Sequence, residues 1–555
     1  MSENSTEVLI IGAGSVGLFA ALSLARLGVP FRIVDKVAYD ARLSKAISLQ
    51  ARMMEILDQM DLAKKFQENG VATLNKAIRF FSKGTMVATL PYLGSVRSDY
   101  PFLLFIPQWK TEQYLREELE NVYHKQVETG WELTDFVQSN DQKVISTLKS
   151  ASGEIRKFES KFLLGCDGAH SFVRKKLGAK FDGVTIETKW GLCDIIMDTD
   201  LPSRDETTIF WHSDAMLAIA KIDINVHRVF VKLDHETSQE ELSKASLMEL
   251  INRLTTPYTV HAKEILWHST YNVNERMVDQ TVVGRVILAG DAAHIHSPWG
   301  AQGLNTGMQD AFNIAWKLNL ILKGVGNPDV LLKSYVDERV PVARGVLKGT
   351  SALRQFFTLE SGWLSFLRDW IFPPLSKLPI VYKTFFDNMS QLLIAYPQGL
   401  LTEKPLEVGY FKTPITAIKN GQRVPNAVLS KRSPGGRQLI KIFEIFKKNP
   451  GAYHLFIWAS NSGMLDFEPY LALAKKHNRS DFTALQVSVI CPTSNGLTDS
   501  PFEVYEDSGD FVEQYKPSHS VFFLVRPDNY LAAANSVSGH AIIATYMNRI
   551  ILSND

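Results

Sequence analysis

The stretch Gly284 to Leu318, GRVILAGDAAHIHSPWGAQGLNTGMQDAFNIAWKL, sets a carboxylate between an apolar run and a helical repeat, which suits it to hold a ligand with anionic groups. Val286-Ile287-Leu288-Ala289 reads as a buried parallel strand that stops at Gly290-Asp291. Asp291 is thereby delivered beyond a strand's carboxyl end, where open α/β sheets bind ligands. The following turn contains Pro298, Gly300 and Gly303, after which Leu304, Met308, Ala311, Phe312, Ala315 and Leu318 recur at helical spacing. A helix beginning near Gly303 would aim the N–H groups and positive dipole end of its first turn, Gly303-Leu304-Asn305, at whatever lies beside Asp291. Taken alone, a packed strand, turn and helix without a ligand explains this stretch about as well.

Two further stretches decide between these readings. Val8 to Ile11 is a strand-like run followed by Gly12-Ala13-Gly14-Ser15-Val16-Gly17, a helix from Leu18 to Leu27 ended by Gly28, and a second strand, Phe31 to Val34, leading to Asp35-Lys36. This is the dinucleotide fingerprint in its proper setting: Gly12 permits the tight turn, Gly14 the approach of a pyrophosphate, Gly17 close packing of helix on strand, and Asp35 can accept both ribose hydroxyls. A carboxylate at Asp35 repels a 2′-phosphate, so FAD or NAD is expected there rather than NADP. The third stretch is Phe162-Leu163-Leu164-Gly165-Cys166-Asp167-Gly168, an apolar strand entering a tight turn, followed by Ser171 and Arg174 at the opening of a helix. The spacing from Asp167 to Arg174 suggests that both face a phosphate.

In this order and at these separations, the Gly12-x-Gly14-x-x-Gly17, Asp167-Gly168 and Gly290-Asp291 motifs resemble the signatures of the single-component, class A FAD-dependent aromatic monooxygenases. Pro107-Gln108 with Thr111-Glu112, Gly130 to Thr134, and Leu524-Val525-Arg526-Pro527-Asp528 resemble the phenol hydroxylase and hydroxyphenylpropionate hydroxylase branch, which carries a thioredoxin-like C-terminal domain. The resemblance implies FAD as cofactor, NADPH or NADH as transient reductant, and hydroxylation of a phenolic or other electron-rich aromatic compound with O2 through a C4a-hydroperoxyflavin. It also implies that Asp291 binds the ribityl chain, Gln108 contacts the flavin side, Asp167 and Arg174 lie near the pyrophosphate, and Pro298 borders the reacting ring. Relatives usually carry an Arg-Ala pair where this chain has Lys45-Ala46; Lys45 supplies charge without a bidentate fork, and Arg52 is the better expected phosphate or ribityl contact.

The elements that must position these residues give an α/β fold. It comprises a Rossmann-like FAD-binding domain with an inserted mixed β-sheet for the substrate, plus the thioredoxin-like tail. The expected divisions are 1–70, 107–180 and 276–345 for the discontinuous FAD-binding domain, 71–106 and 181–275 for the substrate sheet, 346–420 for a helical connector, and 421–555 for the tail. Alternating runs such as Arg228 to Leu233 read as antiparallel strands. On such runs Trp211, His212, Met216 and Tyr271 are the expected substrate residues, with His212 the first choice for deprotonating a phenol because an imidazole titrates near neutral pH. Each aromatic taken singly is better explained by core packing. The connector, with Phe356, Phe357, Trp363, Phe366, Trp370 and Phe372, is expected to pack on the body, and Gly421 to Pro425 reads as a linker. The tail lacks a Cys-x-x-Cys, so no redox role is expected of it.

Composition excludes other classes. Lys plus Arg total 60 against 59 for Asp plus Glu, giving no charge excess for nucleic acid. Three scattered cysteines make neither a disulfide framework nor a zinc site and suit a cytoplasmic protein. No apolar run approaches the roughly 18 residues of a membrane span, and the polar start argues against a signal peptide. His294 and His296 lack a third ligand, so no metal is expected. Relatives with this tail are often dimers, which leaves a homodimer open. The alternatives are Baeyer-Villiger or decarboxylating oxygenation of a polycyclic natural product or antibiotic and, in another class, a non-catalytic flavin- or ligand-binding protein.

Overall fold

The computed structural model describes residues 4–37, 46–74, 76–92, 94, 96–202, 205–212, 215–233, 244–357, 370–404, 407–408, 413–460, 465–493 and 500–552. Lys45, Trp363 and Phe366 lie outside them.

The first sheet is built on Val8–Ile11, buried because helices cover the face of Val8 and Ile10 while the antiparallel strands Trp131–Gln138 and Val144–Ser150 cover that of Leu9 and Ile11. Its order is Val282–Val283, Val286–Leu288, Ile155–Gly165, Ser5–Ile11, Phe31–Asp35 and Glu128–Thr129, with parallel pairing from Val286–Leu288 onward. All three motifs therefore leave the carboxyl ends of adjacent parallel strands. Helices Ser15–Arg26, Gln108–Asn121 and Gly303–Leu322 pack here around a core including Leu18, Phe19, Leu115, Met308, Ala311 and Ile314.

The second sheet runs in the order His294–Ile295, Val260–Val278, Phe181–Thr199, Val226–Leu233, Met216–Lys221, Thr207–Trp211, Ala77–Ser82 and Thr85–Pro91. It is antiparallel except where Thr207–Trp211 runs parallel to Ala77–Ser82. Because side chains alternate, Cys193, Ile195, Phe210 and Leu217 meet helix Lys244–Thr255 on one face. Trp190, Trp211 and Met216 occupy the other, with Tyr271, Trp299, Phe356 and Phe372 packed against them. Phe372 lies 5.2 Å from Phe80 and 5.4 Å from Trp211, so this part of the aromatic connector covers the sheet. Val71–Ala72 and Leu104–Phe105, expected in this sheet, instead lie in a separate small one, where Leu104–Phe105 pairs with Val71–Ala72 on one side and Ser48–Leu49 on the other.

One helix runs through an expected division, and the expected linker is paired. Residues 345 and 346 both lie inside one helix, Pro328–Phe357, whose amphipathic pattern continues past Pro341. Gly421 to Pro425 is no free linker: the Gly421 amide donates to Leu531 O (2.7 Å), the Leu531 amide to Gln422 O (2.8 Å) and the Val424 amide to Asn529 O (2.9 Å), zipping the segment onto the tail. The tail sheet orders Gly436–Lys441, Val428–Ser433, Glu503–Asp507, Leu485–Pro492, Tyr453–Trp458, Val521–Val525 and Leu531–Ser536. Buried Arg526 fixes it to the body, its guanidinium forking onto Glu338 (2.6 and 2.9 Å) and also bonding Asp528; Lys317 reaches the same Glu338 at 2.8 Å. Among the described residues no helix is long and apolar enough to cross a membrane.

Candidate functional site

The glycines of the fingerprint work by close approach. At Gly12, with φ +99°, a Cβ would stand 2.4 Å from Cys166 O, and at Gly17 one would stand 1.9 Å from Gly12 O, so strand, turn and helix can only nest with glycine at both. At Gly14 an added Cβ would meet only Glu112 Oε1, at 3.8 Å, which leaves open space over the turn. The buried Ser15 donates to that carboxylate through its amide (3.1 Å) and hydroxyl (2.9 Å), and Gln108 Nε2 donates to it at 2.8 Å. Gln108 Oε1 in turn accepts from the Ala46 amide at 3.1 Å, so Gln108 braces the chain that returns after Asp35. Asp35 accepts from the Ala13 amide (2.7 Å) and the Val37 amide (3.0 Å), which holds its oxygens beside the turn; Lys36 next to it is exposed. Val16 packs against Gly290, where a Cβ would meet its Cγ2 at 2.8 Å.

Asp167 caps the short helix Phe172–Lys176 through the Phe172 and Val173 amides (2.7 and 3.0 Å), while its Oδ1 is enclosed with no hydrogen-bond partner among the described residues. The Gly290-Asp291 turn is a single 3-10 turn, Gly290–Ala292, in which Asp291 is exposed. In helix Gly303–Leu322, Thr306 is the first residue bonded backward along the chain, to Gln302 O at 2.9 Å. The amides of Gly303, Leu304 and Asn305 precede it at the helix's positive end. Buried Asn305 is also structural, accepting from the Gln50 amide (2.8 Å) and donating to Ser48 O (3.0 Å). Pro298 is exposed at the start of the turn that carries Trp299.

Three expected residues are corrected. Arg174 gives its guanidinium to Ala292 O (3.1 Å) and Ala169 O (2.8 Å) and stacks on Phe181 at 3.8 Å, tying the second motif to the third instead of facing a phosphate. Arg52 is 1% exposed and committed to Glu55 (3.2 Å) and Asp528 O (2.9 Å), so it belongs to the contact with the tail. His212 bonds Leu254 O at 2.7 Å on the helix-covered face of the sheet, one residue out of phase with Trp211. Trp211 and Met216 are cross-strand neighbours in the aromatic cluster with Tyr271.

Sequence reasoning passed over Asp310. Its carboxylate accepts from the Gly290 amide (3.1 Å), His294 Nε2 (2.7 Å) and Arg339 Nε (2.7 Å), fixing the third motif to two helices. Burial opposes its ionisation, but Arg339 and His294 overcome that and hold it at about 2. His296 Nε2 lies 2.9 Å from His294 Nδ1, and burial lowers its imidazole. Helical spacing, which aligns Asp310 with Gly307 one turn before it and Gly303 about two turns before it, was the available signal.

The open turn at Gly14, the unpartnered Asp167 Oδ1 and the leading amides of helix Gly303–Leu322 suit a dinucleotide with ribose hydroxyls, a pyrophosphate and an electron-accepting ring. Residues 5–350 match the family model described as FAD binding domain. The chain belongs to the FAD-dependent aromatic monooxygenases, and FAD is its cofactor. This monooxygenase is 32% identical over 63% of its length to pentachlorophenol 4-monooxygenase of Sphingobium chlorophenolicum, of which it covers 64%, just under two thirds. It is 29% identical to 6-methylpretetramide 4-monooxygenase of Streptomyces rimosus over 98% of this chain and 94% of that one. Among solved structures, the flavin-dependent monooxygenase PieE in complex with FAD and substrate shares the fold, with TM-score 0.78 and 21% identity over 99% of this chain and 100% of that one.

Proposed function

We propose that this monooxygenase hydroxylates a phenolic or other electron-rich aromatic ring, with O2 and NAD(P)H, in the space between the fingerprint crevice and the aromatic face of the second sheet. The carrying observation is that the turn bearing Pro298 also bears Trp299, whose ring meets Trp190 of that sheet at 5.6 Å, so an apolar, ring-lined wall adjoins the residues suited to FAD. FAD supplies the redox chemistry: electrons from NAD(P)H and activation of O2 for transfer of one oxygen atom to the ring. Gly12, Gly14, Ser15, Val16, Gly17 and Asp35 would hold its adenosine half, Asp167 the neighbourhood of the pyrophosphate, Asp291 the ribityl chain, and the amides of Gly303, Leu304 and Asn305 its anionic edge. Trp211 and Met216 close the apolar side, and Pro298 borders the reacting ring.

The strand order of the tail, a parallel pair Tyr453–Trp458 and Leu485–Pro492 beside the hairpin Val521–Val525 and Leu531–Ser536, supports a thioredoxin-like domain there. Three buried cysteines fit a cytoplasmic protein. The test is NAD(P)H oxidation by purified protein with a panel of phenols, with 18O2 tracing oxygen into product. Stimulation with label in the ring is expected; steady oxidation that no aromatic compound stimulates overturns the reading. Asp291→Ala is expected to purify without flavin, and a stoichiometric flavin content would remove Asp291 from the site.

A further inference from the structure

We propose that the outer face of the elbow made by residues 370–376 and helix Pro379–Met389 docks on a membrane surface, and that its partner is the headgroup layer of a bilayer containing anionic phospholipid. Residues 370–376 are helical, and Lys377 and Leu378 form the bend before Pro379. Trp370, Ile371, Leu375, Leu378 and Ile380 all stand outward, from 44% exposed at Leu375 to 72% at Ile380. Other large apolar side chains left exposed, such as Val122, Ile224 and Leu439, are scattered singly. The inner side of the elbow is apolar too. Phe372 meets Phe80, Trp211 and Phe356 at 5.2, 5.4 and 5.5 Å, and Phe386 meets Tyr92 at 4.7 Å. Covering the second sheet accounts for that inner stripe. It does not account for the outer one, in which Ile371 and Leu375 repeat at one helical turn, and a helix apolar on both sides calls for a second apolar phase.

Charge decides what that phase is. From Trp370 to Phe386 the chain carries Lys377 and Lys383 and no acidic residue. Helix Pro328–Phe357, whose Phe356 meets Phe372, adds exposed Arg344 and Lys348 and has no acid after Glu338. A two-fold contact with a second copy would set this patch against itself, cation against cation with no carboxylate to answer. A layer of anionic headgroups answers every one of those cations, and the indole of Trp370 suits the boundary between headgroup and acyl chain. The prolines at 373, 374 and 379 break the segment into short pieces, which lie in the interface and do not cross it. Docked this way, the ring-lined wall of the second sheet sits one helix away from the lipid, where apolar aromatic compounds collect.

The test floats FAD-loaded protein with vesicles of phosphatidylcholine alone and of phosphatidylcholine mixed with phosphatidylglycerol. Wild type is expected to rise with the mixed vesicles and much less with the neutral ones. Ile371→Ser with Ile380→Ser is expected to weaken binding to the mixed vesicles by at least about tenfold, at unchanged flavin content and melting temperature because both side chains are exposed. Lys377→Gln with Lys383→Gln disturbs no apolar side chain and is expected to cost about tenfold on the mixed vesicles alone. Wild type that floats with neither vesicle overturns the proposal, as does an isoleucine double variant that floats as well as wild type. Equal flotation with both vesicles overturns the part given to charge. A wild-type dimer by light scattering that the isoleucine variant splits into monomers assigns the face to a second copy and also overturns it. Flotation is read without turnover, so its failure leaves the proposed hydroxylation standing, and the failure of that reaction leaves the docking standing.

Discussion

Glu112 illustrates how a single side chain sets the fingerprint turn. Its Oε1 gathers three donors, the Ser15 amide and hydroxyl and Gln108 Nε2, from segments far apart in sequence. Replacing it by Ala strands all three, at about 1–3 kcal/mol for each buried donor left unpaired. Gln at the same place keeps the accepting oxygen. We therefore expect Glu112→Ala to lose at least about tenfold in FAD affinity and Glu112→Gln to lose much less, measured by reconstituting apoprotein with FAD. Glu112 was visible in sequence only as part of a phrase, because its partner at Ser15 is 97 residues away. The same limit explains Arg174 and Arg52. A cation near a phosphate motif reads as a phosphate ligand until the carbonyls of Ala169, Ala292 and Asp528 are seen to occupy it. The fingerprint glycines were legible because their constraint is local, set by neighbouring backbone.

Elements follow their periodicities closely where a pattern is long. The helix expected to begin near Gly303 spans Gly303–Leu322, and the run from Phe31 ends at Asp35 as a strand. His212 was misplaced by one step of the same period-two rule that places Trp211, since sequence alone does not say which face of a two-sided sheet meets the cofactor and which meets a helix. What helix Gly303–Leu322 does beyond offering its first turn depends on Asp310, which joins it to Gly290, to His294 and, through Arg339, to helix Pro328–Phe357. Asp310→Asn removes a charge that two buried groups face, so a loss of about 3 kcal/mol is expected, read by urea denaturation of apoprotein. Because the Gly290-Asp291 turn hangs on the same carboxylate, FAD affinity should fall with it. A variant as stable as wild type would show that Arg339 and His294 find other partners.

At the scale of the whole molecule, the tail is joined to the body by buried charge and built around a buried neutral histidine, and the two respond to acid in different windows. Burial works against ionisation of Glu338, but Arg526 and Lys317 outweigh it and hold the carboxyl at about 2, so this contact persists through mild acid. His454 behaves oppositely. It is 2% exposed, stacked near Phe446 and Phe456, and burial pushes its imidazole down to about 4. A base whose folded value lies below its unfolded one binds more protons when unfolded. Stability is therefore highest above the unfolded value near 6.5 and falls as pH drops from there toward 4, by about 3 kcal/mol. Acid should thus open the tail core before it breaks the Glu338 contact. His454→Phe keeps the ring stack and removes the proton site. We expect it to lessen the fall in stability between pH 6.5 and 4, to which the buried His477 and His296 also contribute, followed by denaturant midpoint at each pH, while leaving the decline nearer the carboxylate range in place. An unchanged slope would place the acid-sensitive group elsewhere in the tail.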